Sequence, residues 1–141
     1  MTRSLRIFLD ANILFSAAKS DGAIQTLVAA LLDAGHECWV DGYVIDEARR
    51  NISVKASSRL PRLDELLSRM HVSPYSPAIH RANIDGLPDK DRVVVAAAIA
   101  LACEILVTGD RTHFGQFYGR RIAGVRIHSP RSLFDHLFSK S

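Results

Sequence analysis

Four acidic residues stand where an acid can do chemistry. Asp10 closes an apolar run, Leu5 to Leu9 (LRIFL), in which Ile7, Phe8 and Leu9 follow one another. Such a run suits a strand covered on both faces, as at the centre of a parallel sheet. The carboxyl end of that strand is where open α/β sheets place their ligands. A charge buried there is expensive unless a cation or hydrogen bonds compensate it. Asp110 closes a second run, Glu104 to Val107, after Thr108-Gly109. Asp91 falls in the first turn of a long apolar stretch, where the helix dipole favours a negative charge. Glu47 lies nearer the apolar face of Val44, Ala48 and Ile52 than its neighbour Asp46 does. Singly, three of these have ordinary explanations: Asp91 as a helix-start charge, Asp110 as a turn residue, Glu47 as a solvated helix charge. Asp10 resists one best, because an apolar strand has no need of it. Brought to one sheet edge, the carboxylates repel and raise one another's pKa unless a cation lies between them. Oxygen donors without a His or Cys cluster suit Mg²⁺ or Mn²⁺ rather than zinc, and such an ion commonly serves phosphate chemistry.

The elements that would position these acids alternate. After Asp10 the stretch Ala11 to Ala18 is small and apolar, interrupted by Asn12 and Ser16. A loop at Lys19 to Gly22 leads to a helix over Ala23 to Ala34, with Asp21 as N-cap and Gly35 in the C′ position. Glu37 to Val40 reads as a second strand, and Tyr43 to about Ile52 as a short helix. Ser53 to Ser58 is a loop or helix extension. Leu60 to Met70 is helical by the spacing of Leu63, Leu66, Leu67 and Met70. A short strand over Val72 to Tyr75 and one or two helical turns over Ala78 to Gly86 follow. Asp89 is the expected N-cap of a buried helix from Asp91 to Ala102, whose alanines permit close packing on a sheet. Glu104 to Val107 is the next strand, Arg111 to Gly124 a basic loop, and Val125 to Ile127 the last strand. Ser129-Pro130 then opens a C-terminal helix, with proline at its first position. This alternation predicts an α/β fold with a parallel sheet of four or five strands and helices on both faces. The acids Asp10 and Asp110 fall at its carboxyl edge.

Composition narrows the class. The 141 residues fit one domain, with no linker or repeat to divide residues 1–141. Apolar residues make up 48% and charged residues 23%, ordinary for a globular protein. A net charge of +3 permits an acidic partner without demonstrating one. Cys38 and Cys103 lie in apolar surroundings without metal or redox spacing, so two reduced, buried thiols are expected. No stretch has the length of a membrane span or signal peptide, which places the expected location in the cytoplasm.

Together the stretches FLDANILFSA (Phe8 to Ala17), VIDEARRN (Val44 to Asn51) and PDKDRVVVAAAIALACEILVTGDRTHF (Pro88 to Phe114) resemble the PIN-domain ribonucleases. The likeness is strongest to the VapC-like toxins of bacterial toxin–antitoxin pairs. It spans nearly the whole chain and implies a PIN-like three-layer α/β/α sandwich. By this resemblance Asp10, Glu47, Asp91 and Asp110 are the four catalytic acids, with Asp89 competing for the third place. Asn12 and Thr108 accompany them as polar residues near the metal. The implied activity is Mg²⁺- or Mn²⁺-dependent cleavage of RNA phosphodiesters. Asp10, Asp91 and Asp110 would bind the ion, while Glu47 binds a second one or orients the attacking water. Arg49, Arg92 and Arg111 are the expected substrate contacts, with Arg50, Arg120, Arg121 and His113 as further candidates. The implied partners are an RNA substrate, a cognate antitoxin protein and a second copy of the chain. That homodimer would use the Leu60–Met70 helix or the N-terminal half, unless Leu63, Leu66 and Leu67 are ordinary core.

Other classes fit less well. A phosphoacceptor receiver would need a late Lys at a strand end, and a dehalogenase-type phosphatase an Asp where Asn12 stands. A non-catalytic nucleic-acid-binding or interaction module of the same fold is the alternative that survives.

Overall fold

The computed structural model describes residues 3–75 and 85–139. Its strands are β1 Arg6–Leu9, β2 Glu37–Asp41, β3 His71–Ser73, β4 Ile105–Val107, β5 Arg121–Ile122 and β6 Val125–His128. The helices are α1 Ala11–Lys19, α2 Ala23–Asp33, α3 Gly42–Lys55, α4 Leu60–Leu67, α5 Asp89–Ala100, α6 Arg111–Phe114 and α7 Pro130–Phe138. The strands form one sheet in the order β3-β2-β1-β4-β6-β5, parallel except for β5. With its helices it makes a three-layer α/β/α sandwich. The expected parallel strands are present, and the sixth strand is an antiparallel addition at the edge.

β1 and β4 are the middle of this sheet, paired Ile7 to Ile105, Phe8 to Leu106 and Leu9 to Val107. All six residues are buried, which explains why neither run alternates with polar residues. From β1 the chain moves one way to β2 and β3, then crosses back to β4 on the other side. This reversal puts a crevice at the carboxyl ends of β1 and β4. α1 packs on α2, α3 and α4, and α5 lies against β4. Val93 through Ala98 are all buried in α5; its alanines leave room for that all-round burial. Leu63 and Leu66 of α4 are likewise spent on the chain's own core, while Leu67 is half-buried.

Several local expectations give way to stronger contacts. Asp21 pairs with Arg59 at 2.9 Å, and Gly22 takes the N-cap of α2. Pro88 rather than Asp89 caps α5, leaving Asp89 exposed at the first helical position. α3 outruns its expected end at Ile52 and continues to Lys55; buried Asp41 caps it by accepting from Val44 N at 3.1 Å. α4 stops at Leu67, and the third strand begins at His71 rather than Val72. Residues 111–124 are not a plain loop. Buried Phe114 and Phe117 anchor α6 and a following 3₁₀ turn. Ala123 and Gly124, at φ 50 and 88, then turn β5 back onto β6, the left-handed pair that tight hairpins require. Gly35 does take its positive φ after α2, and Ser129 forms a reciprocal capping box with Ser132 on α7. The helical turns expected over Ala78 to Gly86 fall largely outside the described residues. Cys38 and Cys103 are buried free thiols whose pKa values burial pushes up to about 12. Among the described residues no helix is long and apolar enough to cross a membrane.

The central pairing should dominate stability. Leu106→Ala, at a fully buried side chain, is expected to cost roughly 2–5 kcal/mol. Val54→Ser, at an exposed position, should stay within about 0.5 kcal/mol. Urea unfolding followed by circular dichroism measures both.

Candidate metal centre

Side chains tie the carboxyl ends of β1 and β4 together. Asp10 follows β1 and caps α1, its Oδ1 accepting from Ala11 N at 2.8 Å. Thr108 follows β4 and donates from Oγ1 to Asp10 Oδ2 at 2.8 Å. Asn12 Nδ2 lies 3.3 Å from both Asp10 Oδ2 and Thr108 Oγ1, and Asn12 Oδ1 accepts from Gly109 N at 2.8 Å. A Cβ on Gly109 would come to 3.3 Å from Asn12 Oδ1, so the bare glycine lets the loop close on the amide. Asp10 is only 5% exposed. Burial pushes its pKa from 3.8 to about 6, against the lowering effect of the Thr108 and Ala11 hydrogen bonds; the charges of Asp91 and Glu47 add to the rise.

Asp91 and Asp110 approach from the other side. Asp91, on the first turn of α5, is 6% exposed, and among the described residues its Oδ2 has no hydrogen-bond partner of regular geometry. Asp110 caps α6 by accepting from His113 N at 3.1 Å, and its own N–H donates to Thr108 Oγ1 at 3.2 Å. His113 Nδ1 lies 2.8 Å from Asp91 Oδ2 and 2.9 Å from Asp110 Oδ2. These are ion-pair distances, with one buried ring nitrogen shared between two carboxylates. Burial raises the Asp91 pKa; Asp110 adds to that, and His113 and Lys90 oppose it.

All four sequence-predicted acids line one cleft of about 40 Å³, together with Asn12, Tyr43, Lys90 and Val94. Glu47 is half-buried there, whereas Asp46 is exposed and lines a different depression. Of the two candidates for the third acid, Asp91 lines the cleft, whereas Asp89 is exposed and lies 3.7 Å from Arg92 outside it. Of the expected arginines, Arg49 pairs with Asp64 at 3.0 Å beside that second depression, so it is not brought to the acids. Arg92 does not line the cleft either. Arg111 is exposed at the start of α6, next to Asp110. Tyr43 and Lys90 were not picked out by the sequence reading. Tyr43 stands one helical turn before Glu47, and Lys90 directly precedes Asp91, so helical spacing from the acids was the available signal.

The donor chemistry fits a divalent cation. Two carboxylates converge with a buried, unpartnered oxygen between them, an arrangement that costs free energy unless positive charge compensates it. The donor atoms of Asp91, Asp110 and His113 lie within 4.8 Å of one another. Asp10 shares the cleft but not this closest group. Its Oδ1 accepts a single hydrogen bond and so keeps a lone pair.

The family follows from these features and from the sequence itself. Residues 6–112 match the PIN domain family, which covers both carboxyl-edge strands and all four acids; the chain belongs to that family. No curated protein matches the sequence. Among solved structures, VapBC2 from Rickettsia felis, bound to a DNA fragment from its promoter, superposes with a TM-score of 0.65 at 18% identity. That match covers 89% of this chain and 98% of the other. A toxin–antitoxin complex from Klebsiella pneumoniae matches at TM-score 0.61 and 20% identity, covering 84% and 94%. Mycobacterium tuberculosis VapC20, a sarcin–ricin loop cleaving toxin, matches at 0.56 and 10%, covering 78% and 94%. At these identities the likeness is one of fold.

The crowded acids carry a pH signature. The folded pKa of Asp10 lies above its ordinary 3.8, so the native state binds this proton more tightly than the unfolded chain does. Its destabilising charge is fully present above about pH 6 and is relieved as pH falls from there toward 4. Asp91 shifts in the same direction. In EDTA at pH 7, Asp10→Asn should therefore stabilise the protein, on the order of 1–3 kcal/mol. That corresponds to roughly 3–5 °C per kcal/mol in the melting temperature. The advantage should shrink when the melts are repeated at pH 4.5. A mutant that melts early in EDTA would mean that Asp10 is a structural acid satisfied by its hydrogen bonds.

Proposed function

We propose that this chain is a metal-dependent endoribonuclease acting on RNA phosphodiesters in the cytoplasm, the toxin of a toxin–antitoxin pair. The observation that carries this reading is the convergence of Asp10, Glu47, Asp91 and Asp110 on one small cleft at the strand-order reversal. Membership of the PIN domain family and the fold shared with VapC20 and the toxin–antitoxin complexes support it.

Asp10, Asp91 and Asp110 would hold the ion, Mg²⁺ or Mn²⁺. When bound, such an ion polarises a phosphoryl oxygen and lowers the pKa of water. Asn12 and Thr108 fix the orientation of Asp10 through their hydrogen bonds. Glu47, half-buried in the cleft lining, would accept a proton from the attacking water or orient it. Lys90, which lines the cleft, and Arg111, which follows Asp110 in the chain and is exposed, are suited to the phosphates flanking the scissile bond. Arg49 and Arg92 are less suited, since both are held by carboxylates away from the cleft. The partner in this reading is a cognate antitoxin protein that restrains the nuclease.

Purified protein with Mg²⁺ or Mn²⁺ should cleave RNA, and EDTA should stop it. Asp91→Asn should lower the rate roughly 100-fold or more, because a metal ligand matters at least as much as the groups that merely orient ligands. Asp46→Asn, at an exposed position of α3 next to Glu47, should cleave within about twofold of wild type. Equal loss in both variants, or cleavage undiminished by EDTA, would count against the assignment.

A further inference from the structure

We propose that His113 is a nitrogen ligand of the ion held by Asp91 and Asp110, which makes the centre a mixed nitrogen–oxygen site that prefers Mn²⁺ to Mg²⁺. The inference rests on the metal-centre reading above and departs from an oxygen-only set.

The geometry points this way in three respects. First, His113 Nδ1 lies 2.8 and 2.9 Å from one oxygen of each acid. Adjacent donors around an octahedral ion with metal–oxygen distances of 2.0–2.1 Å stand about 3 Å apart. Second, Nδ1 stands almost equally near both carboxylates instead of favouring one, as ligands gathered on one ion do. His113 Nδ1 and Asp91 Oδ2 are both buried without a hydrogen-bond partner, and Asp91 is 6% exposed. Two buried donor atoms 2.8 Å apart suit neighbouring ligands of one ion as well as they suit an ion pair. Third, the imidazole is held in place. Asp110 Oδ1 accepts from the backbone N–H of His113 at 3.1 Å, which leaves Oδ2 facing the ring. The division gives Asp110 one oxygen for the helix cap and one for the centre.

A nitrogen donor alters metal choice. Mg²⁺ is a hard ion that favours oxygen, whereas imidazole binds first-row transition ions more readily. The competing account makes His113 a protonated counter-ion that neutralises Asp91 and Asp110. The two differ in sign. Removing a ligand weakens metal binding, while removing a resident cation strengthens it.

Two measurements on the whole chain decide between them. Calorimetric titration with MnCl₂ and MgCl₂ should show His113→Ala losing Mn²⁺ affinity by about tenfold or more, with Mg²⁺ less affected. Equal or tighter Mn²⁺ binding by the variant would overturn the proposal and leave the acidic centre standing. Electron spin echo envelope modulation on the Mn²⁺-loaded wild type should show coupling to an imidazole nitrogen, a readout that needs no variant to fold. His113→Gln, closer in size, should abolish that coupling. Mn²⁺ binding without nitrogen coupling overturns the role of His113 alone. If the wild type binds neither ion, both this inference and the metal-centre reading fall.

Discussion

The hydrogen bond from Thr108 to Asp10 holds together the place where the chain reverses its strand order. β1 and β4 are four- and three-residue strands in the middle of the sheet, and their carboxyl ends would otherwise present a desolvated carboxylate beside a bare loop. Burial alone would drive Asp10 toward its neutral form. The Thr108 hydroxyl and the Ala11 amide oppose that shift, and the balance leaves a pKa of about 6. Asn12 completes the junction by bonding to Asp10, Thr108 and Gly109 at once. The site is thus built by the same contacts that join the two central strands, and neither can be loosened without the other.

Much of this was legible in the sequence because burial writes itself into local composition. Unbroken apolar runs marked β1, β4 and α5, and the acids that end or begin those runs stood out against them. The distance of Asp91 from the alanine run favours it over Asp89, the apolar face of α3 favours Glu47 over Asp46, and the favoured acid of each pair is the one that lines the cleft. The errors have physical causes of another kind. Asp21 has the right chemistry for a cap, but Arg59, 38 positions away in the chain, claims it. Residues 111–124 read as a loop because two phenylalanines and an Ala-Gly turn give no periodic signal, and only tertiary burial orders them into a short helix, a 3₁₀ turn and one arm of a hairpin.

Substrate-facing residues were the least legible. A surface arginine carries no local mark of where its side chain points, so Arg49 and Arg111 looked alike until Asp64 was found beside one of them. Tyr43 and Lys90 reach the cleft because helical geometry places them next to Glu47 and Asp91, a fact that follows only once the acids are known to share a site. His113 is similar. Its distance from Asp110 is set by a four-residue helix that the sequence did not reveal.

The four acids are not equivalent, and the difference follows from their depth. Asp10 and Asp91 are buried, while Glu47 and Asp110 are half-exposed. Asp10 spends most of its hydrogen-bonding capacity inside the chain, so it contributes mainly fixed negative charge in a poorly solvated place, where charge acts most strongly. Asp91 is as deep but has an oxygen that nothing in the described chain satisfies. The inner pair therefore concentrates negative charge where little water can screen it, with one Asp91 oxygen turned toward His113. The outer pair faces solvent, where groups can exchange protons and meet a large substrate. A cluster arranged this way is unstable as a bare set of charges and coherent as a cation site open on one side.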